Sequence, residues 1–248
     1  MKIGDSSRFE TVAAPDLALT RSRPAVPPAI PLPARPAAVL FDMDGVIVDT
    51  FDAWVAVIDE ARSRRRMPPL GADGVRACWG QGLKADCETI FAGEDPARLA
   101  AEYDEAFVRH LPLVRAEPGV EAAVRALRSA GCRTAVVTNS PKALAERIVR
   151  AIGLEDGFDV LAGGDEVPRG KPDPDLTLLA IARLGVPAAR SALVGDTLLD
   201  VESGRAAGVA VVGYRLDGAD ARIERLSELP ALFGLGALRG GESRAQRT

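Results

Sequence analysis

The feature that most constrains this chain is a rhythm of short apolar runs, each ending in a polar cluster, with helical stretches between them. Ala37–Phe41 runs into Asp42-Met43-Asp44-Gly45, Arg133–Thr138 into Asn139-Ser140, and Ser191–Gly195 into Asp196-Thr197. From Pro118-Gly119 onward the alternation is regular. Helices are predicted over Val120–Ser129, Lys142–Ile152, Pro174–Leu184 and Asp200–Ala207. Strands are predicted over Arg133–Thr138, Asp159–Ala162, Ser191–Gly195 and Val209–Val212. Strands that alternate with helices form parallel βαβ units, so the pattern predicts an α/β fold built on a doubly wound parallel sheet.

The first strand, Ala37–Phe41, has no helix that returns directly to the sheet. Residues 51–117 intervene and read as helical throughout. Phe51, Trp54, Val55, Ile58 and Ala61 recur at spacings of three and four until Pro68-Pro69, and shorter helical pieces follow over 74–79, 84–91 and 96–110. This predicts an all-helical cap, 51–117, inserted into a catalytic core of 37–50 and 118–236. The crossings at Thr50-Phe51 and Glu117-Pro118-Gly119 are the expected hinge. Residues 1–36 hold six prolines between Pro24 and Pro36 and read as an extended, largely disordered arm, and 237–248 as a flexible tail.

Composition narrows the chemistry. His110 is the one histidine, so neither a Ser-His-Asp triad nor a multi-histidine metal site is expected, and its position near the cap's exit suggests a structural role. Cys78, Cys87 and Cys132 lack metal-ligand spacing and read as small apolar fillers in a reducing, cytoplasmic setting. The net charge of −4 conceals basic ends. Residues 1–36 and 237–248 each carry +2, so the body between them carries −8. An acidic body disfavours nucleic acid as a partner and suits divalent cations. The basic run Arg62, Arg64, Arg65 and Arg66 reads as a solvated helix face. No apolar stretch has the length of a membrane span.

In such sheets the working residues collect at the carboxyl ends of the strands. Asp42, Asp44, Thr138, Asn139, Asp196 and Asp200 fall there, with the Gly170-Lys171-Pro172-Asp173 loop between them. Clustered carboxylates repel unless a cation or proton relieves them, and all-oxygen ligation points to a hard ion, most simply Mg2+. A carboxylate beside such an ion can attack phosphorus. Thr138 can donate to a phosphoryl oxygen and Lys171 can offset charge in the transition state. An aspartate two positions beyond the nucleophile shares its side of an extended segment and can act as acid and base.

Four ordered segments, DMDGVIVDT, VVTNS, GKPDPD and VGDTLLD, resemble the motifs of the haloacid dehalogenase superfamily. The likeness is closest to its helical-cap phosphatases of the phosphoglycolate phosphatase type, and it spans residues 37 to about 235. It implies a phosphomonoester of a small metabolite as substrate and an aspartyl-phosphate intermediate. Asp42 would be nucleophile and metal ligand, and Asp44 acid/base with its carbonyl on the metal. Thr138 and the Asn139 backbone would bind the phosphoryl group, Lys171 would hold it, and Asp196 and Asp200 would serve the metal. Ser140 and Asp49 read as turn or cap residues. An aspartate at position 44 separates the chain from the dehalogenases and phosphonatases. Gly195-Asp196 departs from the Glu-Asp frequent in β-phosphoglucomutase-like members. In the cap, CWGQGLKAD (78–86) resembles the substrate-facing segment of phosphoglycolate phosphatase-like members. Gln81 and Lys84 are candidate substrate ligands there, and Trp79 a cap-core residue. A phosphomutase, a nucleotide or pyrophosphate phosphatase, and a non-catalytic regulatory member are the alternatives. A monomer or homodimer is expected.

Overall fold

The computed structural model of the chain describes residues 27–235. The first strand, β1 (Ala38–Phe41), is buried along its whole length, so its run of four apolar residues meets helices on both faces. The remaining strands are β2 (Val48–Asp49), β3 (Arg115–Ala116), β4 (Arg133–Val137), β5 (Val160–Ala162), β6 (Ser191–Gly195), β7 (Ala210–Tyr214) and β8 (Ala221–Ile223). The helices are α1 (Phe51–Arg64), α2 (Gly71–Ala77), α3 (Leu83–Thr89), α4 (Pro96–His110), α5 (Val120–Ser129), α6 (Lys142–Ala151), α7 (Asp175–Leu184), α8 (Leu198–Ala206) and α9 (Leu229–Leu232).

Six strands form one sheet in the order β5-β4-β1-β6-β7-β8, every pair parallel. Alternate residues divide the core. Val39, Phe41, Val136 and Val194 pack under α5 and α6, while Leu40, Val137, Leu193 and Val211 pack under α7 and α8. From β1 the chain winds outward to β4 and β5, then returns to β6 on the other side. The carboxyl end of β1 therefore lies at the switch point, where such sheets open a crevice.

The insert is α1 to α4, a helical cap. Its two crossings are paired with each other: β2 and β3 form an antiparallel ribbon, Val48 opposite Ala116 and Asp49 opposite Arg115. Two-residue strands carry no readable alternation, so the sequence shows only the crossings and not their pairing. The three residues of β8 likewise carry no readable pattern, and the helix expected over 200–207 starts earlier. Thr197 is the N-cap of α8 and forms a reciprocal capping box with Asp200.

The structure differs from expectation at the proline-rich segment and at the arginine run. Residues 27–36 are held against the core: the Ile30 N–H donates to Asp220 Oδ1 at 3.0 Å, the Arg35 N–H to the Phe233 carbonyl at 3.2 Å, and Leu32 packs on the hydrophobic core. Prolines lower the number of backbone donors needing partners, and two of those that remain, at Ile30 and Arg35, find them in the core. Residues 1–26 of the expected arm and the tail 237–248 lie outside the described residues. The arginine run is not uniformly solvated either. Arg65 is 17% exposed, bridges Glu94 at 2.5 Å and Glu102 at 2.7 Å, and stacks 5.0 Å over Phe91, fastening α1 to the far side of the cap. His110 lies 3.2 Å from Glu60, within a cluster that also holds Arg64 and Arg109.

Candidate active site

The floor of the site is built by strand ends. Asp42 follows β1, and its Oδ1 accepts from the Met43 N–H at 2.6 Å and meets Lys171 Nζ at 2.7 Å. Lys171 Nζ also lies 2.7 Å from Asp200 Oδ1 and 3.2 Å from the Val137 carbonyl, with its side chain 3% exposed. The second oxygen of Asp200 is taken by the Thr197 N–H and hydroxyl. One ammonium thus stands between two carboxylates. Burial and the charge of Asp200 push the Asp42 carboxyl well above its ordinary range. Burial pulls the Lys171 ammonium down, but Asp200 and Asp42 more than reverse it.

Among the described residues no Lys or Arg pairs directly with Asp196. Its Oδ1 is buried without a hydrogen-bond partner, and its Oδ2 accepts only a 3.4 Å contact from the Trp79 indole N–H. Burial, then the charge of Asp200, pushes its carboxyl up to about 7. Carboxylate oxygens of Asp42, Asp196 and Asp200 lie within 4.8 Å of one another. An orphaned oxygen in an all-oxygen cluster with surplus negative charge fits a hard divalent cation. Two glycines make this packing possible. A Cβ on Gly45, which has φ +82°, would sit 2.2 Å from Asp196 Oδ2, and one on Gly195 would sit 2.3 Å from the Asp200 Cβ.

Asp44 is set apart from this cluster. Its Oδ1 accepts from the Thr50 hydroxyl and from the Trp54 indole N–H at 3.0 Å, and its Oδ2 from the Ser140 hydroxyl at 3.3 Å. Burial raises its carboxyl, and the hydrogen bonds from Thr50 and Trp54 partly offset the rise. Thr50 and Trp54 lie one helical turn apart at the start of α1, a spacing visible in the sequence but silent without knowing what it faces. Ser140, read only as a turn residue, also joins the site. Asp49 takes the turn role expected of it, accepting from the Phe51 N–H at 3.2 Å.

Between floor and cap lies a cavity of about 70 Å³ that Asp42, Asp44, Thr138, Asn139 and Lys171 line from the core and Trp54, Trp79, Gln81, Asp86 and Tyr103 from the cap. Thr138 Oγ1 accepts from the Ser140 N–H at 3.0 Å, which leaves its own proton available. The Asn139 side chain spans both walls: its amide donates to the Gly80 carbonyl at 2.8 Å and the Lys171 carbonyl at 3.0 Å, and its oxygen accepts from the Lys171 N–H at 2.7 Å. Trp79 packs on Phe51 at 5.2 Å as a cap-core residue and also covers Asp196. Gln81 reaches the cavity. Lys84 does not: it is exposed and lines a separate cavity of about 440 Å³ beside it.

A doubly wound core with a helical cap, and aspartates at the switch point of its sheet, defines a class of capped hydrolases. The chain belongs to the haloacid dehalogenase-like hydrolase family, whose profile matches residues 39–214. It is 34% identical over 186 residues to an N-acetylmuramic acid 6-phosphate phosphatase of Pseudomonas aeruginosa, covering 73% of this chain and 82% of that one. It is 35% identical over 216 residues to a plasmid phosphoglycolate phosphatase of Cupriavidus necator, covering 79% and 92%. The fold matches that of CbbY from Rhodobacter sphaeroides, solved with phosphate, at a TM-score of 0.71 and 24% identity over 78% of this chain and 96% of that one. Among the described residues no helix is long and apolar enough to cross a membrane.

Proposed function

We propose that the chain hydrolyses the phosphomonoester of a small metabolite with the help of Mg2+, through an aspartyl-phosphate on Asp42. The observation that carries this is the floor itself: a carboxylate with one oxygen fixed by Met43 and Lys171, facing a cavity beneath a cap. Asp42, Asp196 and Asp200, with the Asp44 carbonyl, are the residues that would hold the ion. When bound, it supplies charge that screens the approach of an anionic nucleophile to phosphate.

The protein's own groups divide the remaining work. The free oxygen of Asp42 attacks phosphorus as the ester oxygen leaves. Asp44, its proton held at raised affinity by burial, protonates that oxygen. The deprotonated Asp44 then takes a proton from the water that attacks the aspartyl-phosphate, which releases phosphate and regenerates Asp42. Thr138 donates its free hydroxyl proton to a phosphoryl oxygen, and Lys171 holds both nucleophile and phosphoryl charge. The Asn139 side chain is committed to the cap, so its part in phosphate binding falls to its backbone. The cap, 51–117, acts as a lid on the core, with Asn139 to Gly80 and Trp79 to Asp196 as its closing contacts.

The overlap that any side chain at position 195 would make with Asp200 disfavours the phosphomutase alternative, whose glutamate would stand there. Three unpaired cysteines, two of them buried, support a reducing cytoplasmic setting. Asp42→Asn tests the reading. It should lower Mg2+-dependent phosphate release from para-nitrophenyl phosphate by at least about 10³-fold while circular dichroism stays native. Undiminished release would refute it.

A further inference from the structure

The cap wall of the cavity is one-sided in its chemistry. Asp86 lies there at 8% exposure. Its hydrogen-bond partners are both uncharged: the Gln81 amide donates to Oδ1 at 2.6 Å and the Tyr103 hydroxyl to Oδ2 at 3.1 Å. A carboxylate has about four lone-pair sites, so two donors leave acceptor capacity over. The Gln81 amide nitrogen donates to Asp86 and also to Thr89 Oγ1 at 2.9 Å, and the Thr89 hydroxyl spends its proton on the Ala85 carbonyl at 2.8 Å. Both Gln81 donors are therefore used, and only its carbonyl oxygen remains for a ligand. Asp86 and Gln81 together present acceptors and no free donor.

No cation balances this wall. Among the residues lining the cavity, Lys171 is the only one that is cationic, and it is engaged by Asp42 and Asp200 at the opposite end. Lys84 faces the neighbouring cavity, and Arg65 is held by Glu94 and Glu102. A carboxylate or second phosphate on the leaving group would thus meet a buried like charge and a carbonyl oxygen, with no cationic side chain on that wall to neutralise it.

We propose that the cap wall selects phosphomonoesters whose leaving group is an ammonium-bearing or uncharged hydroxyl-bearing chain, as in amino sugar and sugar phosphates, and rejects those bearing a carboxylate, with Asp86 as the specificity residue. This rests on the phosphatase reading above, and it sets the chain apart from those relatives named for phosphoglycolate.

The test is steady-state kinetics with Mg2+ on two sets of esters, each of matched carbon number, whose leaving groups differ in charge. The two-carbon set is O-phosphoethanolamine, 2-hydroxyethyl phosphate and 2-phosphoglycolate. The six-carbon set is glucosamine 6-phosphate, glucose 6-phosphate and 6-phosphogluconate. Within the set turned over faster, the carboxylate should be poorer in kcat/KM than the other two by at least about tenfold. Asp86→Asn, which keeps shape and removes charge, should shrink that gap by at least about fivefold, within the range expected for one polar contact. A native enzyme that hydrolyses the carboxylate ester as well as its partners overturns the proposal, even if the variant does not fold. A preference that Asp86→Asn leaves unmoved overturns the assignment to Asp86. Failure of the native enzyme on every ester and on para-nitrophenyl phosphate overturns the phosphatase reading instead.

Discussion

Replacing Lys171 with methionine removes one ammonium and leaves most of the aliphatic stem in place. The side chain is 3% exposed, and its Nζ lies 2.7 Å from both Asp42 and Asp200. Removing one partner of a buried ion pair costs about 3–5 kcal/mol, because the other charge stays buried and uncompensated. Here one cation serves two carboxylates, so the upper end applies, about 5 kcal/mol at pH 8. For a chain of this size that is a fall in Tm of roughly 10–20 °C. The loss depends on pH, and its sign follows from Asp42. Burial and Asp200 already raise its carboxyl well above 3.8, and losing Lys171 raises it further. A folded-state pKa above the unfolded value gives stability that is complete below the unfolded value and fades as pH rises through the folded one. The variant should therefore be much closer to the native protein at pH 5 than at pH 8. Thermal unfolding followed by circular dichroism in EDTA at both pH values measures this, and adding Asp200→Asn to Lys171→Met should recover at least half of the loss at pH 8. A loss below about 1 kcal/mol, the scale of an exposed pair, equal losses at both pH values, or no recovery in the double variant would refute the reasoning.

Chelation should abolish phosphate release and Mg2+ should restore it. At a concentration 100 times its Kd the ion should add about 2.7 kcal/mol of stability, an increment that Asp196→Asn should largely remove by taking away the orphaned carboxylate charge. Asn139→Ala deletes three hydrogen bonds, one of them to the cap at Gly80. It should cost about 1–3 kcal/mol, and amide hydrogen exchange over residues 79–82 should quicken as the cap loosens.

The elements read best from sequence were those whose burial imposes a pattern. β6 and the helices α4 and α5 fall on the bounds expected of them, because an apolar strand buried on both faces or an amphipathic helix on a sheet leaves few alternatives. The residues gathered on the floor were legible for a topological reason. In a parallel sheet, strand ends converge, so Asp42, Thr138 and Asp196 could be grouped before their distances were known. The cap wall was not legible in this way. Asp86 lies within a segment that drew notice for Gln81 and Lys84, yet its importance comes from facing Tyr103, seventeen residues away on another helix. Trp54 and Thr50 look like any helix start until Asp44 is set beside them. The charge of Lys84 suggests a substrate ligand, whereas its helix turns it toward a different cavity.

The ribbon of β2 and β3 has a consequence for how such a protein can vary. Because Val48 pairs with Ala116 and the Glu117 N–H bonds to the Ile47 carbonyl at 3.0 Å, the insert leaves and re-enters the core through neighbouring residues. Paired strands lie about 4.8 Å apart, a gap that a short turn would span as readily as four helices do. The sheet and the part of the floor held wholly from the core, Lys171 between Asp42 and Asp200, are therefore indifferent to the size of what is hung on the ribbon. A different lid could be exchanged at this point, changing which leaving group is admitted and which residue takes the place of Trp54 beside Asp44, while Asp42 and Lys171 keep their places.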